Sequence, residues 1–561
     1  MPDDSPITHP EPASDVPAGA TPSREHFSAK DTFTSLAIAF ILAFVIRGFV
    51  VEPFIIPTGS MAPTLVGAHV LARSPETGTT WAIGPWHYSD ASRKVPASIQ
   101  GEIVVPDPIT GERLLFDKPP TRAGDRIFVL KYLYAIFEPS RFDVVVFKNP
   151  VDPRENFIKR LIGLPHEQIA IVDGDIFTRD TRTLPPDAIL EGPDAWSGPE
   201  WKIQRKPERI QRTLWQTVFD SAHTPLDADR SGRRPFRSPW VGSTQSADAS
   251  QDGNAKHAGE WHINQRASYT FDGPGRADLT WNEASRPVTD YYPYGHTSEH
   301  YPSPRFPVGD VRVRAGVQPH GQELSCWITV ISSAHCFQAE IGPDRTALRM
   351  APVSDSGTLS DDWTTLAQAA TPLAFSKGKV TNLELWHTDQ TLELWADGKR
   401  ILRAEYDWSP AERFRNATGR DPSAFFASNA REPAADPTIY RRPRISWQFH
   451  GSPFTLHRVA LDRDIHYQAS PSPGPRPARA TDPRRLPSLK ADQYFVCGDN
   501  SPQSDDGRLW EAPDPWIAKL DPDEGVVNRR LLIGKAFFVY WPATHAGKIP
   551  IFDAGRVRFI W

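Results

Sequence analysis

Proline is scattered through this chain at a density that long helices do not tolerate, 56 of 561 residues, about twice ordinary usage. Each proline ring removes a backbone N–H and clashes with the preceding helical turn. A continuous helical bundle is therefore excluded, and short strands joined by turns are expected: a mostly β fold. At about 150 residues per domain the length corresponds to three or four units. With 63 Lys and Arg against 68 Asp and Glu, net −5, no basic surplus marks a nucleic-acid partner. Three cysteines exclude a disulfide-dense scaffold and offer no CxxC pair for zinc. A mean hydropathy of −0.45 excludes a polytopic membrane protein and leaves a single span open.

One run suits such a span, FTSLAIAFILAFVIRGFVV, from Phe33 to Val51. As a helix it measures roughly 28 Å, close to the hydrocarbon thickness of a bilayer. Arg47 sits near its far end, where a long side chain snorkels. Fourteen uncharged residues from Phe33 to Ile46 are unusually apolar for a buried soluble helix. The polar, acidic stretch before them disfavours a cleaved signal peptide. Residues 1–30 read as a disordered cytoplasmic tail and 31–51 as a transmembrane helix. Arg24 and Lys30 are offset by Glu25 and Asp31, so charge alone leaves the orientation open.

Three later segments carry the chemistry. VEPFIIPTGSMAPTL, 51–65, is kept out of helix by Pro53, Pro57 and Pro63 and places Ser60 in a rigid turn after Gly59. Alone, such a serine is an ordinary loop residue. In DVVVFKNPVDPRENFIKRLIGL two apolar strands are expected, the second broken by Lys159 and Arg160. Neighbours in a strand face opposite sides, so one of these two points toward the core. A buried amine loses proton affinity through desolvation, and a neutral amine beside a serine hydroxyl is a general base. A hairpin with an Asp173-Gly174 turn follows. The third segment, YFVCGDNSPQSDDGRLW, 494–510, would by itself be a polar turn between strands.

Together, PTGSMAPTL, FIKRLIGLP and GDN with Ser504, Asp506 and Arg508, followed by LIGKA, resemble the bacterial type I signal peptidases, membrane-bound Ser/Lys endopeptidases. A span ending just before the serine is also that family's arrangement. The resemblance implies Ser60 as nucleophile and Lys159 as general base, with neither a metal nor a cofactor. It implies that Ser504 orients the lysine, and that the Thr58 hydroxyl and the Ser60 N–H form the oxyanion hole. Asp499, Asn500, Asp506 and Arg508 would support the loop around the site. The implied partners are signal-peptide-bearing preproteins and the lipid bilayer. The implied location is the extracytoplasmic side of the cytoplasmic membrane, with small residues preferred at the −1 and −3 positions of the substrate. His166 stands where the family usually has glycine, Ser501 where it has arginine, Gly507 where it has serine and Cys497 where it has an aliphatic residue.

The catalytic domain is then expected in two parts, 52–180 with an irregular insertion at 73–121, and 489–561. Between them, 181–260 reads as helical and irregular, with a helix over 207–220. Residues 261–467 read as an inserted β-sandwich of short alternating strands with an Asp397-Gly398 turn. LELWHTDQTLELWADGKRI resembles a laminin-G or concanavalin-like jelly roll. Twelve of the 18 tryptophans lie between 196 and 447; they suit a sandwich core better than carbohydrate stacking, although a carbohydrate or protein ligand stays open. Cys326 and Cys336 could pair outside the cytoplasm. Residues 468–488 read as a Pro-rich linker. A membrane-tethered binding protein on an inactive peptidase scaffold is the alternative, opposed by the joint survival of Ser60, Lys159 and Ser504. An SOS-type Ser/Lys autoprotease is opposed by the span and by the lack of a DNA-binding segment.

Overall fold

The computed structural model of the protein describes residues 29–45, 50–87, 98–225, 235–244, 259–263, 267–295, 305–427, 433–468, 477–542 and 556–560. The expected tail, 1–30, lies almost wholly outside these. The chain divides after Val51 into two units. In the first, a helix covers Ala29–Val45, 17 residues. Its large apolar side chains, among them Phe33, Leu36, Ile38, Ile41 and Leu42, are exposed and at 100° per residue they point all round the axis. Among the described residues no helix is long and apolar enough to cross a membrane. The helix expected over 31–51 does not reach 51, because Val51 already begins a strand, Val51–Ile55. Pro53 disfavours helical geometry in the residue before it, and 46–49 lie outside the described residues.

The second unit is built from antiparallel sheets. The one that carries the chemistry runs Val51–Ile55, Arg126–Leu130, Leu532–Trp541, Val144–Lys148, Asn156–Gly163, Gln493–Cys497, Val527–Asn528, with Arg558–Phe559 on the strand Leu532–Trp541. Sequence order is thus interleaved: a strand from the end of the chain lies between two from its first third. The 493–497 strand pairs directly with 156–163, with Cys497 opposite Arg160 and Val496 opposite Leu161. A chain interrupted over hundreds of residues still closes one sheet, because apolar clusters pack on both of its faces. The hairpin Glu167–Val172 and Asp175–Asp180 turns at Asp173-Gly174, both in the left-handed region with φ 49° and 86°. This is the primed turn that matches strand twist.

Within the stretch expected to be irregular, 73–121, the described residues instead hold short strands. Strands Thr80–Ile83, His69–Arg73 and Thr121–Arg122 form one small sheet, and Glu102–Pro106 and Arg113–Asp117 a hairpin. Both cover a core of Val70, Trp81, Ile83, Ile103 and Val105. Alternate burial along these strands, masked in the sequence by intervening Gly and Pro, is what organises them.

Two sheets, of eight and seven strands, pack face to face over one large apolar core. The sandwich begins earlier than residue 261: Gln216–Asp220 joins the first sheet and Trp240–Thr244 the second. The helix expected over 207–220 accordingly covers only Glu208–Leu214. Beyond Trp215, pairing with the strand Phe454–Arg463 overrides the helical spacing. Trp240, Trp281 and Trp447 fill the core, each at most 3% exposed. Cys326 and Cys336 are free and buried. They oppose Ile341 and Ile331 respectively, five ladder positions apart and so roughly 17 Å, well beyond disulfide reach. The 468–488 stretch is not a simple tether. Over 477–488 it is packed, donating and accepting backbone hydrogen bonds with Ile169, Ile171 and Arg508; 469–476 lie outside the described residues.

Candidate active site

The loop from Pro57 to Ala68 is closed at its base by the Ala68 N–H donating to the Pro57 carbonyl, 3.0 Å, and within by the Leu65 N–H donating to the Met61 carbonyl, 2.8 Å. Met61, Ala62 and Leu65 are fully buried, so Ser60 is held on a loop with its own apolar anchor. From the sheet, Lys159 reaches this loop: its Nζ lies 2.8 Å from Ser60 Oγ. Ser60 is 8% exposed and Lys159 4%. The Phe157 ring, two residues back on the same strand face, lies under the amine at 4.8 Å. Among the described residues Ser60 Oγ is the amine's one hydrogen-bond partner.

Burial pulls the Lys159 amine down from about 10.5 to about 8, while Asp506 and Asp505 hold it up and Arg508 opposes them. None of these carboxylates forms an ion pair with the amine. The lysine is thus poised to be neutral at mildly alkaline pH without being trapped as an ammonium.

The expectation that one of Lys159 and Arg160 faces the core is too modest: both are buried, Arg160 completely. The strand is internal to the sheet and covered on both faces. On the opposite face from Lys159, the Arg160 guanidinium donates to both carboxylate oxygens of Asp499, at 2.8 and 2.7 Å. The Thr64 hydroxyl also donates to Asp499, at 2.5 Å. Asp499 therefore ties the lysine strand, the GDN loop and the serine loop together. Asn500 clamps the serine itself: its N–H donates to the Ser60 carbonyl at 3.0 Å, and its side-chain amide to the Gly59 carbonyl at 3.1 Å.

Asp506 accepts from the Gly498 N–H at 2.9 Å and from Arg508 at 2.9 and 2.8 Å. Burial alone would raise its pKa, but Arg508 and these donors hold the carboxyl below its usual range. Arg508 also reaches Ser501 Oγ at 2.6 Å and the Gln468 carbonyl at 2.8 Å. Ser504 stands over Gly498, where an added Cβ would fall 2.2 Å from its Oγ. The expected hydrogen bond from Ser504 to the lysine amine is not made: among the described residues Ser504 Oγ is buried without a hydrogen-bond partner. Thr58 is exposed. Among the described residues neither its hydroxyl nor the Ser60 N–H is taken by another group of the protein, which leaves both donors open to an incoming oxyanion. His166 adopts φ 65°, the left-handed geometry that favours the glycine usual at that position.

One neighbour of the site matches nothing expected from the motifs. Tyr294, from the middle of the large insertion, lays its ring against Gly59. A Cβ on Gly59 would fall 1.7 Å from Tyr294 Cε1. The Tyr294 hydroxyl donates to the Ala68 carbonyl at 2.5 Å. A Tyr-Tyr-Pro-Tyr-Gly run far from every motif gives no sign of this contact.

The signal peptidase, peptidase S26 family matches the chain over residues 29–104, 117–189 and 464–541. The match continues through much of 73–121, leaving 105–116 and 190–463 outside it. Signal peptidase I of Rickettsia felis is 32% identical over 162 residues, 29% of this chain and 47% of the relative. That of Rickettsia typhi is 31% identical over 155 residues, 28% of this chain and 45% of the relative. The chain thus spans about half the length of the curated relatives it matches. Similar solved structures include the carbohydrate binding module CBM66 from Bacillus subtilis, 7% identical over 40% of this chain and 96% of that one, TM-score 0.21. Another is a Bacillus subtilis protein with a galectin-like fold, 10% identical over 45% of this chain and 100% of that one, TM-score 0.24. Scores this low carry neither fold nor ligand across. Ser60, Lys159 and the GDN loop stand on the three segments that match the signal peptidase, peptidase S26 family, with unmatched chain between them.

Proposed function

We propose that the protein is a membrane-anchored serine endopeptidase that removes N-terminal signal peptides from exported preproteins, with Ser60 and Lys159 as its dyad. The observation that carries this reading is the 2.8 Å approach of Lys159 Nζ to Ser60 Oγ in a site that withdraws the amine from water.

In this reading the neutral Lys159 accepts the Ser60 proton as the oxygen attacks the scissile carbonyl carbon. The negative charge that develops on the carbonyl oxygen is met by the Ser60 N–H and the Thr58 hydroxyl; one such donor is typically worth about 2.7–4 kcal/mol. Collapse breaks the C–N bond, and the ammonium of Lys159 returns its proton to the leaving amine. Water, deprotonated by the same amine, then hydrolyses the acyl-enzyme. Asn500 fixes the Ser60 backbone, Asp499 joins the strands beneath it, and Asp506 with Arg508 keeps the GDN loop closed. Ser504 would orient the amine after a rotation of its hydroxyl toward it. Small residues at −1 and −3 are the expected cleavage signal.

The helix Ala29–Val45, apolar all round its axis, supports an anchor embedded in lipid. Anchoring confines enzyme and substrate to one thin layer and raises their effective concentration. The catalytic unit would then lie on the extracytoplasmic side.

The test is cleavage of a preprotein with an Ala-x-Ala site by the full chain, read by N-terminal sequencing of the product. The wild type should cut once, after the last alanine, and Ser60→Ala and Lys159→Ala should leave the preprotein intact. Normal cleavage by both variants would refute the dyad.

A further inference from the structure

A cavity of about 580 Å³ opens where the serine loop, the 73–121 region and the large insertion meet. Pro63, three residues past Ser60, forms part of its wall, as do Tyr292 and Pro293, which lead directly into the Tyr294 that covers Gly59. The opposite walls are supplied by Trp81 and Asp107 from the first insertion and by Trp215, Gln216, Arg286 and Arg463 from the second. The cavity is thus made largely of chain outside the segments that match the family, yet Pro63 of the loop that carries the candidate nucleophile is part of its wall.

Its polar groups are unsatisfied in one direction. The indole N–H groups of Trp81 and Trp215 are buried without a hydrogen-bond partner, an arrangement that native structures seldom leave unfilled. Arg286 lines the same space with neither an ion pair nor a side-chain hydrogen bond among the described residues. Among those residues Arg463 donates only to backbone carbonyls, those of Asp464, Asp290 and Tyr291. The two acidic side chains in the wall are already engaged: Asp220 by Arg314 and Arg458, and Asp107 by the N–H groups of Ile109 and Thr110, from where its charge also attracts Arg286 without an ion pair. The buried Gln216 Oε1 is the one orphaned side-chain acceptor in the wall among the described residues. The cavity therefore asks for a ligand rich in acceptors and negatively charged.

An extended polypeptide supplies such acceptors, one carbonyl per residue, and acidic side chains supply the charge. Of the two parts of a preprotein, the signal peptide is apolar and suits lipid and small apolar pockets. The part after the scissile bond is polar, and it is present whenever the enzyme turns over. We propose that this cavity binds the segment of the substrate that follows the cleavage site and selects for acidic residues there. The inference rests on the signal peptidase reading. The insertions thereby become part of substrate selection, with Arg286 as the main charge contact and the indole N–H groups of Trp81 and Trp215 as donors to the substrate's main-chain carbonyls.

The experiment compares preproteins identical through an Ala-x-Ala site, one followed by an Asp/Glu-containing segment and one by a Lys-containing segment. A short peptide ending just past the site serves as control, and all are cleaved by the full chain in detergent micelles. The wild type should show a KM about tenfold lower for the acidic preprotein, Arg286→Glu should reverse that preference, and neither should differ on the short control. Trp215→Phe, which keeps an aromatic ring and removes the N–H, should raise KM for both long substrates and leave the control unchanged. Equal KM values for the two preproteins in wild type and in Arg286→Glu, with the control still cleaved, would overturn the cavity proposal and leave the peptidase standing. If Arg286→Glu fails on the control as well, an unchanged KM in Trp215→Phe overturns it. No cleavage of any substrate by the wild type would remove the peptidase reading, and this one with it.

Discussion

The Arg160–Asp499 pair, wholly out of water, holds the floor of the site, and its burial sets what its loss should do. Breaking one partner of such a pair leaves an uncompensated charge and costs about 3–5 kcal/mol. Asp499→Ala should therefore lower the unfolding free energy by that amount, read by denaturant titration, as well as abolish cleavage. Asn500→Ala should behave differently. It removes the side-chain bond to the Gly59 carbonyl but keeps the backbone bond to Ser60, so kcat should fall by about ten- to a hundredfold with KM and unfolding midpoint little changed. At this scale Lys159 is legible in the sequence because an amine inside an apolar strand carries a desolvation cost that only a partner or a chemical use offsets. Arg160 is not, since alternation along a strand suggests one outward-facing neighbour, and only the sheet order shows that both faces are covered. Ser504 is legible as a member of the site, whereas nothing in the motif shows that its hydroxyl is left buried without a partner.

The serine loop is an element braced from both sides, by Asn500 and by Tyr294. Gly59 is fixed by that close approach: Gly59→Ala would drive a methyl group into the Tyr294 ring and should sharply reduce kcat. Tyr294 separates two contributions. Tyr294→Phe keeps the ring against Gly59 and loses only the bond to Ala68, so cleavage should stay within a few-fold of wild type. Tyr294→Ala leaves a cavity worth about 3–5 kcal/mol and should impair both stability and kcat. Equal activity in Tyr294→Ala and wild type would show that the brace is dispensable. The strand runs and both Asp-Gly turns of the β regions are readable from alternation and turn chemistry. The 207–220 segment is readable only in its first half, because pairing with a strand more than 200 residues away decides the second. The 73–121 strands are hidden by their shortness.

At the scale of the whole molecule, the insertion is stitched to the segments that carry the candidate site at several places. Arg413 of the insertion bridges Asp173 and Asp175 at the turn of the hairpin 167–180 and Asp310 on the sandwich, all of them buried or nearly so. Tyr294 reaches the serine loop, and 477–488 pairs with the hairpin. Replacing 190–463 by a short linker should therefore abolish cleavage and expose apolar surface, measurable by dye binding. A deletion variant that cleaves normally would make the insertion a separate module. No motif forecasts these contacts, since each joins residues whose partners lie far away in sequence. In the proposed mechanism the entire arrangement serves one proton transfer, and the pH dependence of kcat/KM for an Ala-x-Ala preprotein tests it most directly. Burial lowers the Lys159 amine to about 8, and only the neutral amine accepts the Ser60 proton, so the rate should climb from about pH 6 and level off above an apparent pKa near that value. A profile that is flat through this range, or that falls as pH rises from about 7 to 9, would contradict Lys159 as the base.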